Sequence, residues 1–266
     1  MTSRLAWATD IHLNFLGTEG VLDFCHSLSA IGADALIVSG DIAEGPTIKG
    51  YLEILAREIE HPIYFVLGNH DFYRSSIRRV RKVVRELCES RERLVWLNSA
   101  GVITLSDTVG LLGHDGWADG RLGDYFGSKV VLNDYVLIDE LSEQSVKGRL
   151  TLLNRLGDEA AAHIQEHLPI ALDQFERVIV VTHVPPFREA CWHLGGIAND
   201  DWLPHFASQA AGDALVAVAD DYPDRDITVL CGHTHGRGVV KIRDNLIVRT
   251  GGAVYGEPVV EEVIDI

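Results

Sequence analysis

The chain has 266 residues, enough for one large α/β domain with a full core, and its 47% apolar and 23% charged residues are an ordinary globular composition. A formal net charge of -16 argues against broad, non-specific binding to nucleic acid or to anionic membranes. The opening MTSRLAWATD has no apolar stretch of signal length, and no run approaches the roughly 20 apolar residues that span a bilayer, so membrane insertion is not expected and the expected setting is cytoplasmic.

Five short apolar runs rich in Val, Ile and aromatic residues read as buried strands, and each stops at a side chain able to bind a metal. The first, LAWAT, ends before Asp10. The segment that follows, TEGVLDFCHSLSAIG, has the length of a helix, with Thr18 as N-cap and Gly32 as stop. ALIVSG then runs into Asp41, and Pro46 in GPTIKGYLEILAREIE suits a first helical turn. IYFVLG ends before Asn69, completing a strand, helix, strand, helix, strand pattern that implies parallel strands with right-handed crossovers. Ligands of open α/β sheets bind outside the carboxyl ends of the strands, so the endings should converge on one edge.

From Tyr73 to Arg93 eight basic residues face three acids, which leaves the rest of the chain at -21. This segment reads as a basic helix with a largely solvated face. Its first residue after the loop, Arg74, is a candidate contact for an anionic substrate, and Phe72 and Tyr73 either pack or stack on a leaving group. RLVWLNSAGVITL and VGLLGHDGW look like strands of a second sheet; His114, Asp115 and Trp117 end the latter and could line a pocket. Residues 120–175 are mixed and largely helical, a cap or rim insertion within a single domain spanning 1–266. VIVVT stops at His183, and a polar loop with Asn199, Asp200, Asp201 and His205 is either a rim or a solvated turn. ITVLCG precedes His233 and His235, Arg237 follows as a second candidate substrate contact, and GVVKIRDNLIVRTGG reads as a hairpin about Asp244 and Asn245. Cys25, Cys88, Cys191 and Cys231 are too scattered for a zinc knuckle or a disulfide framework.

Asp10 and His12 are two residues apart and would point the same way from extended chain; His233 and His235 repeat the spacing. With Asp41, Asn69 and His183 they make seven oxygen and nitrogen donors, too many for one tetrahedral ion. Two ions roughly 3.5–4 Å apart, bridged by a carboxylate, suit the set and are an arrangement used in phosphoryl transfer. Imidazole and carboxylate without thiolate favour Mn, Fe, Zn, Ni or Co.

The series D-x-H (Asp10, His12), G-D (Gly40, Asp41), G-N-H-D (Gly68 to Asp71), a lone His183 after a strand and G-H-x-H (Gly232 to His235) resembles the calcineurin-like metallophosphoesterase superfamily in residue type and in order. The resemblance implies an α/β fold of two packed mixed sheets flanked by helices, a four-layer sandwich with a dinuclear centre at its carboxyl edge. It implies that Asp10, His12 and His235 hold one divalent ion, with manganese foremost, that Asn69, His183 and His233 hold the other, and that Asp41 bridges them. His70 would then steady the phosphate and protonate the leaving oxygen, with Asp71 orienting it. The implied activity is hydrolysis of a phosphate mono- or diester by a metal-bridging hydroxide. The substrate would be a small molecule, with a nucleotide or a nucleic-acid end as a further candidate. The same fold can also serve as a non-catalytic adaptor or hydrolyse a non-phosphate bond, and oligomeric state is left open. One departure stands out: where the family often has G-D-x-x-D, this chain reads GDIAEG, so Glu44 should affect ligand orientation rather than metal retention.

Overall fold

The computed structural model describes residues 3–266. In chain order its strands are β1 (Arg4–Ala8), β2 (Ala35–Ser39), β3 (Ile63–Val66), β4 (Leu94–Trp96), β5 (Ile103–Thr104), β6 (Val109–His114), β7 (Arg177–Thr182), β8 (Trp192–His193), β9 (Gly196–Ile197), β10 (Asp226–Cys231), β11 (Gly238–Arg243), β12 (Leu246–Thr250) and β13 (Glu262–Asp265). One sheet has the order β13-β1-β2-β3-β4 and the other β11-β12-β10-β7-β6-β5; β8 and β9 form a small separate hairpin. The pairs β1–β2, β2–β3 and β3–β4 are parallel, as are β6–β7, β7–β10 and β10–β12. Antiparallel β13, β5 and β11 make both sheets mixed.

The parallel strands are apolar on both faces because both faces are covered. Leu5, Trp7, Ile37, Tyr64 and Val66 of the first sheet meet Leu111, Ile179, Val181 and Leu230 of the second in one buried layer. Outside the first sheet pack α1 (Thr18–Ala30), α2 (Ile48–Glu58) and α3 (Ile77–Glu89). Outside the second lie the helices Val146–Gln174 and Gln209–Asp221. The result is the four-layer sandwich, helix on sheet on sheet on helix.

The basic helix shows why charge and burial coexist there. Ile77, Val80, Val84 and Leu87 recur at helical spacing and are buried, so Arg78, Arg79 and Arg85 between them face outward, while Arg81 turns toward buried Asp115. Of the segment 120–175, the part Val146–Gln174 lies against β6, β7 and helix Gln209–Asp221, so it is a flanking layer rather than a cap. What remains near the strand ends is the irregular stretch 115–133 and the short helices Asp134–Leu137 and Asp139–Ser142.

Three local expectations change. Thr18 is the first helical residue, with Gly17 at the N-cap, and α2 begins at Ile48, leaving Pro46 in the turn before it. Leu94–Trp96 joins the first sheet beside β3 instead of the second, because the short helix Leu97–Ala100 carries the chain across between them. The hairpin about Asp244 and Asn245 joins β11 to β12 as expected, whereas β13 adds an edge strand to the first sheet that the sequence does not announce. Among the described residues the four cysteines are free, and no helix is long and apolar enough to cross a membrane.

Candidate metal centre

The ends of β1, β2, β3, β7 and β10 meet at one edge. Asp10, Asp41 and Asn69 come from the first sheet, and His183, His233 and His235 come from the second. Backbone hydrogen bonds tie these loops into a fixed frame: Asp10 N donates to Gly40 O, His12 N to Asp41 O, His183 N to Asp115 O and Gly232 N to His183 O.

The way the paired ligands converge differs from the extended alternation expected. Asp10, His12, Asp41, His233 and His235 all have positive φ, from 39° to 69°. A residue with a Cβ is strained there, at roughly 1–3 kcal/mol each, and persists only where its surroundings over-determine it. Each D-x-H or H-x-H pair therefore turns inward through left-handed backbone. Close approach also explains two glycines: a Cβ at Gly232 would run into the Asp10 carboxylate and Thr9, and one at Gly68 would run into Asp41.

Two donor clusters share Asp41. In the first, one atom each of Asp10, His12, Asp41 and His235 lie within 4.8 Å of one another. The Nε2 atoms of His12 and His235 face each other at 3.3 Å, and His235 Nε2 lies 3.4 Å from Asp10 Oδ1. His12 Nδ1 is buried with no hydrogen-bond partner.

The second cluster can be read atom by atom. His183 Nδ1 lies 2.8 Å from the carbonyl of Ser39 and His233 Nε2 lies 2.9 Å from that of His205. Carbonyls only accept, so these nitrogens carry the protons and the other ring nitrogens offer lone pairs. The Asn69 amide donates to Asp134 Oδ1 at 2.8 Å and to the Tyr73 hydroxyl at 3.1 Å, which turns its Oδ1 inward. That oxygen lies 3.0 Å from His183 Nε2 and 2.9 Å from His233 Nδ1, and His183 Nε2 is 3.4 Å from Asp41 Oδ1. Lone pairs thus meet lone pairs with no proton between them. Such a set repels itself unless a cation lies among them, so the donor chemistry fits a metal.

The electrostatics agree. Burial lowers His12 to about 4 and His233 to about 3, and it also lowers His183, so the imidazoles are neutral as metal ligation requires. Burial opposes the ionisation of Asp10, but the hydrogen bond from His235 holds it below the usual carboxylate range. Asp41 is pushed well above that range by burial and by the charges of Asp10 and Asp71, a penalty that a cation would reverse.

The other anticipated residues are placed as follows. His70 sits at the mouth, its N donating to Asp41 Oδ1 at 2.8 Å and its ring 4.2 Å from that of Tyr73. Asp71 does not hold the His70 ring: its carboxylate accepts from the backbone N–H groups of Ile42, Ala43 and Gly68 at 2.9, 2.7 and 2.9 Å, and so clamps two motif loops together. Arg74 and Arg237, the two candidate substrate contacts, each have a carboxylate partner: Arg74 pairs with Glu44 at 2.9 Å and Arg237 makes two bonds to Glu261. Phe72 and Tyr73 are buried, so they pack rather than stack on a ligand. Asp115 is fully buried, accepting from Leu67 N and Trp96 Nε1.

The sequence profile of the calcineurin-like phosphoesterases matches residues 3–237. The chain belongs to that family. Members bind two divalent metals, and the calcineurin-like chain described here has the donors just described. Among solved structures it is similar to the phosphopantetheinyl hydrolase PptH from Mycobacterium tuberculosis (18% identity, TM-score 0.63, covering 93% of this chain and 89% of that one). It is also similar to a dimetal phosphatase from Danio rerio (14%, 0.58, 95% and 88%) and to the protein TT1561 of Thermus thermophilus (14%, 0.52, 95% and 90%). At these identities the likeness shows the fold alone. No curated protein matches this calcineurin-like chain in sequence.

Of three residues that complete the site, Asp134 and Tyr255 were not read from the sequence, and His205 was read only as part of a rim or a solvated turn. Asp134 orients Asn69, the His205 carbonyl orients His233, and Tyr255 lies with its ring centroid 4.6 Å from that of His12 and 5.0 Å from that of His235. The only signal for Tyr255 was GGAVYG following an apolar run that ends at the same sheet edge.

Proposed function

We propose that this chain is a metal-dependent phosphoesterase for small phosphate mono- or diesters, with Asp10, His12, Asp41 and His235 holding one divalent ion and Asp41, Asn69, His183 and His233 another. The observation that carries this reading is the convergence of three unprotonated donors, Asn69 Oδ1, His183 Nε2 and His233 Nδ1, at about hydrogen-bond distance. Mixed nitrogen and oxygen donors suit Mn, Fe, Zn, Ni or Co, with manganese foremost. When bound, such ions supply Lewis-acid charge at the phosphoryl oxygens and lower the pKa of a water to about 7.

The protein's own contribution is position and hydrogen bonding. The clamped loops hold the donors in place before substrate arrives, so little reorganisation remains. His70 is lowered to about 2 by burial and by the His12 ring beside it, so it is a neutral imidazole that donates an N–H to a phosphoryl or leaving-group oxygen. A phosphate next to it would oppose that shift and favour proton donation. The setting inferred is cytoplasmic, for which four free cysteines speak.

The test is hydrolysis of p-nitrophenyl phosphate and its bis ester by chelator-stripped protein resupplied with Mn, Ni, Co, Zn or Mg singly. Metal-restored turnover is expected, and the ratio of the two substrates reports monoester or diester preference. Two ions bound per chain with no turnover on either ester would count against catalysis.

A further inference from the structure

Next to the first donor cluster, two large aromatic side chains lie open to solvent. Phe15 is 53% exposed and Tyr255 is 47% exposed, and their ring centroids are 4.8 Å apart at an interplanar angle of 39°. They do not belong to the core. Phe15 closes the single helical turn Leu13–Phe15 that begins after His12, and its ring meets the His12 ring at 5.9 Å. Tyr255 is brought in from the other side by the loop between β12 and β13. That loop is anchored where Ala253 N donates to His235 O, where Gly252 N donates to Glu261, and where Arg237 pairs with Glu261. Tyr255 then lies within 6.1 Å of the His70 ring as well.

Exposed apolar surface beside a polar centre is costly to leave uncovered and marks a binding face. Its neighbours say what kind of group covers it. The two arginines closest to the mouth in sequence are both engaged by carboxylates, so the wall offers no free cation from Arg74 or Arg237 for a second anionic group. The chain's charge of -16 disfavours a polyanion such as a nucleic-acid strand. An uncharged planar ring, by contrast, finds two aromatic faces to stack on.

We infer that Phe15 and Tyr255 form a stacking wall for the base of a nucleoside monophosphate whose phosphate lies at the donor clusters. This rests on the phosphoesterase reading and narrows it. Stacking on an aromatic side chain tolerates any base, because every base has a π-face, so the wall selects for the presence of a base more than for its identity.

The experiment compares AMP with ribose 5-phosphate, two monoesters with the same leaving oxygen that differ by the base. The metal-loaded enzyme is expected to favour AMP in kcat/KM by about tenfold or more, as one stacked base supplies. Phe15→Ala should collapse that preference through KM while ribose 5-phosphate turnover stays within about twofold, as expected when only ground-state binding is lost, and Tyr255→Ala should likewise lower the ratio of kcat/KM for AMP to that for ribose 5-phosphate. Tyr255→Phe should keep the preference, because the ring and not the hydroxyl is required; Tyr255→Phe behaving like Tyr255→Ala would overturn the stacking role. Equal turnover of both substrates would also overturn it, as would no turnover of either by enzyme that still hydrolyses p-nitrophenyl esters. Loss of the p-nitrophenyl activity itself would instead count against the phosphoesterase reading. Circular dichroism of each variant checks the fold, which half-exposed side chains should not disturb.

Discussion

At the scale of single residues, the centre is made by side chains that control other side chains. Asn69 has an amide that could face either way, and only its donation to Asp134 and the Tyr73 hydroxyl turns the oxygen inward. Tyr73 in turn donates to Asp134 at 2.7 Å, so one buried carboxylate orders both. Removing a partner of this kind from a metal site costs about 10–100-fold in affinity or activity. Asp134→Ala should therefore weaken the second metal by about that factor while the first stays bound, which metal titration followed by isothermal calorimetry would resolve as two separated sites. Simultaneous loss of both ions would show that Asp134 supports the whole edge instead of Asn69. Asp71 acts on backbone rather than on a side chain. Asp71→Ala leaves the N–H groups of Ile42, Ala43 and Gly68 without their acceptor in a buried loop, at about 1–3 kcal/mol for each group left unsatisfied. The expected outcome is a lowered urea midpoint even in chelator, where a purely catalytic aspartate would leave stability unchanged.

At the scale of elements, strands whose two faces are both buried announced themselves. β1, β2, β3, β7 and β10 are continuous apolar runs, so the polar residues at their ends, which the structure gathers at one edge, stood out as candidate ligands. The roles of Asp134, His205 and Tyr255 were not legible, for a common reason. Each comes from irregular chain or a one-turn helix, where no periodicity links sequence to position. β4 reads as a strand of the second sheet yet lies in the first, because three strand residues carry no information about their neighbours. The inward turn of Asp10 and His12 was also out of reach, since left-handed backbone at non-glycine residues is imposed by the surrounding loops and not by local propensity. The basic helix α3 was misleading in a different way. Its arginines are conspicuous in the sequence, yet its apolar stripe fixes where it sits, and Arg81 uses its charge to reach buried Asp115 at 3.4 Å and Glu159 at 3.2 Å.

At the scale of the whole molecule, the donors carry uncompensated cost in the metal-free protein. Asp41 is destabilised as an anion by burial and by Asp10 and Asp71, lone pairs oppose one another around Asn69, and five of the candidate donors hold strained backbone. A metal that binds the folded chain and not the unfolded one offsets these terms and adds about 2.7 kcal/mol of stability for one site at a hundredfold excess over Kd. For a protein of this size that corresponds to a rise in Tm of about 5–10 °C per site. Thermal scans with chelator and with added manganese should differ by at least that much, and coincident transitions would show that the donors bind no metal.

The donors are divided between the two sheets, with Asp10, His12, Asp41 and Asn69 on one and His183, His233 and His235 on the other. Neither sheet alone presents either cluster complete, because His235 completes the first and Asn69 and Asp41 belong with His183 and His233 in the second. Metal capture can thus occur only after the layer between Trp7, Ile37, Ile179 and Leu230 has closed. Metal uptake at these donors would therefore date the final docking of the two halves.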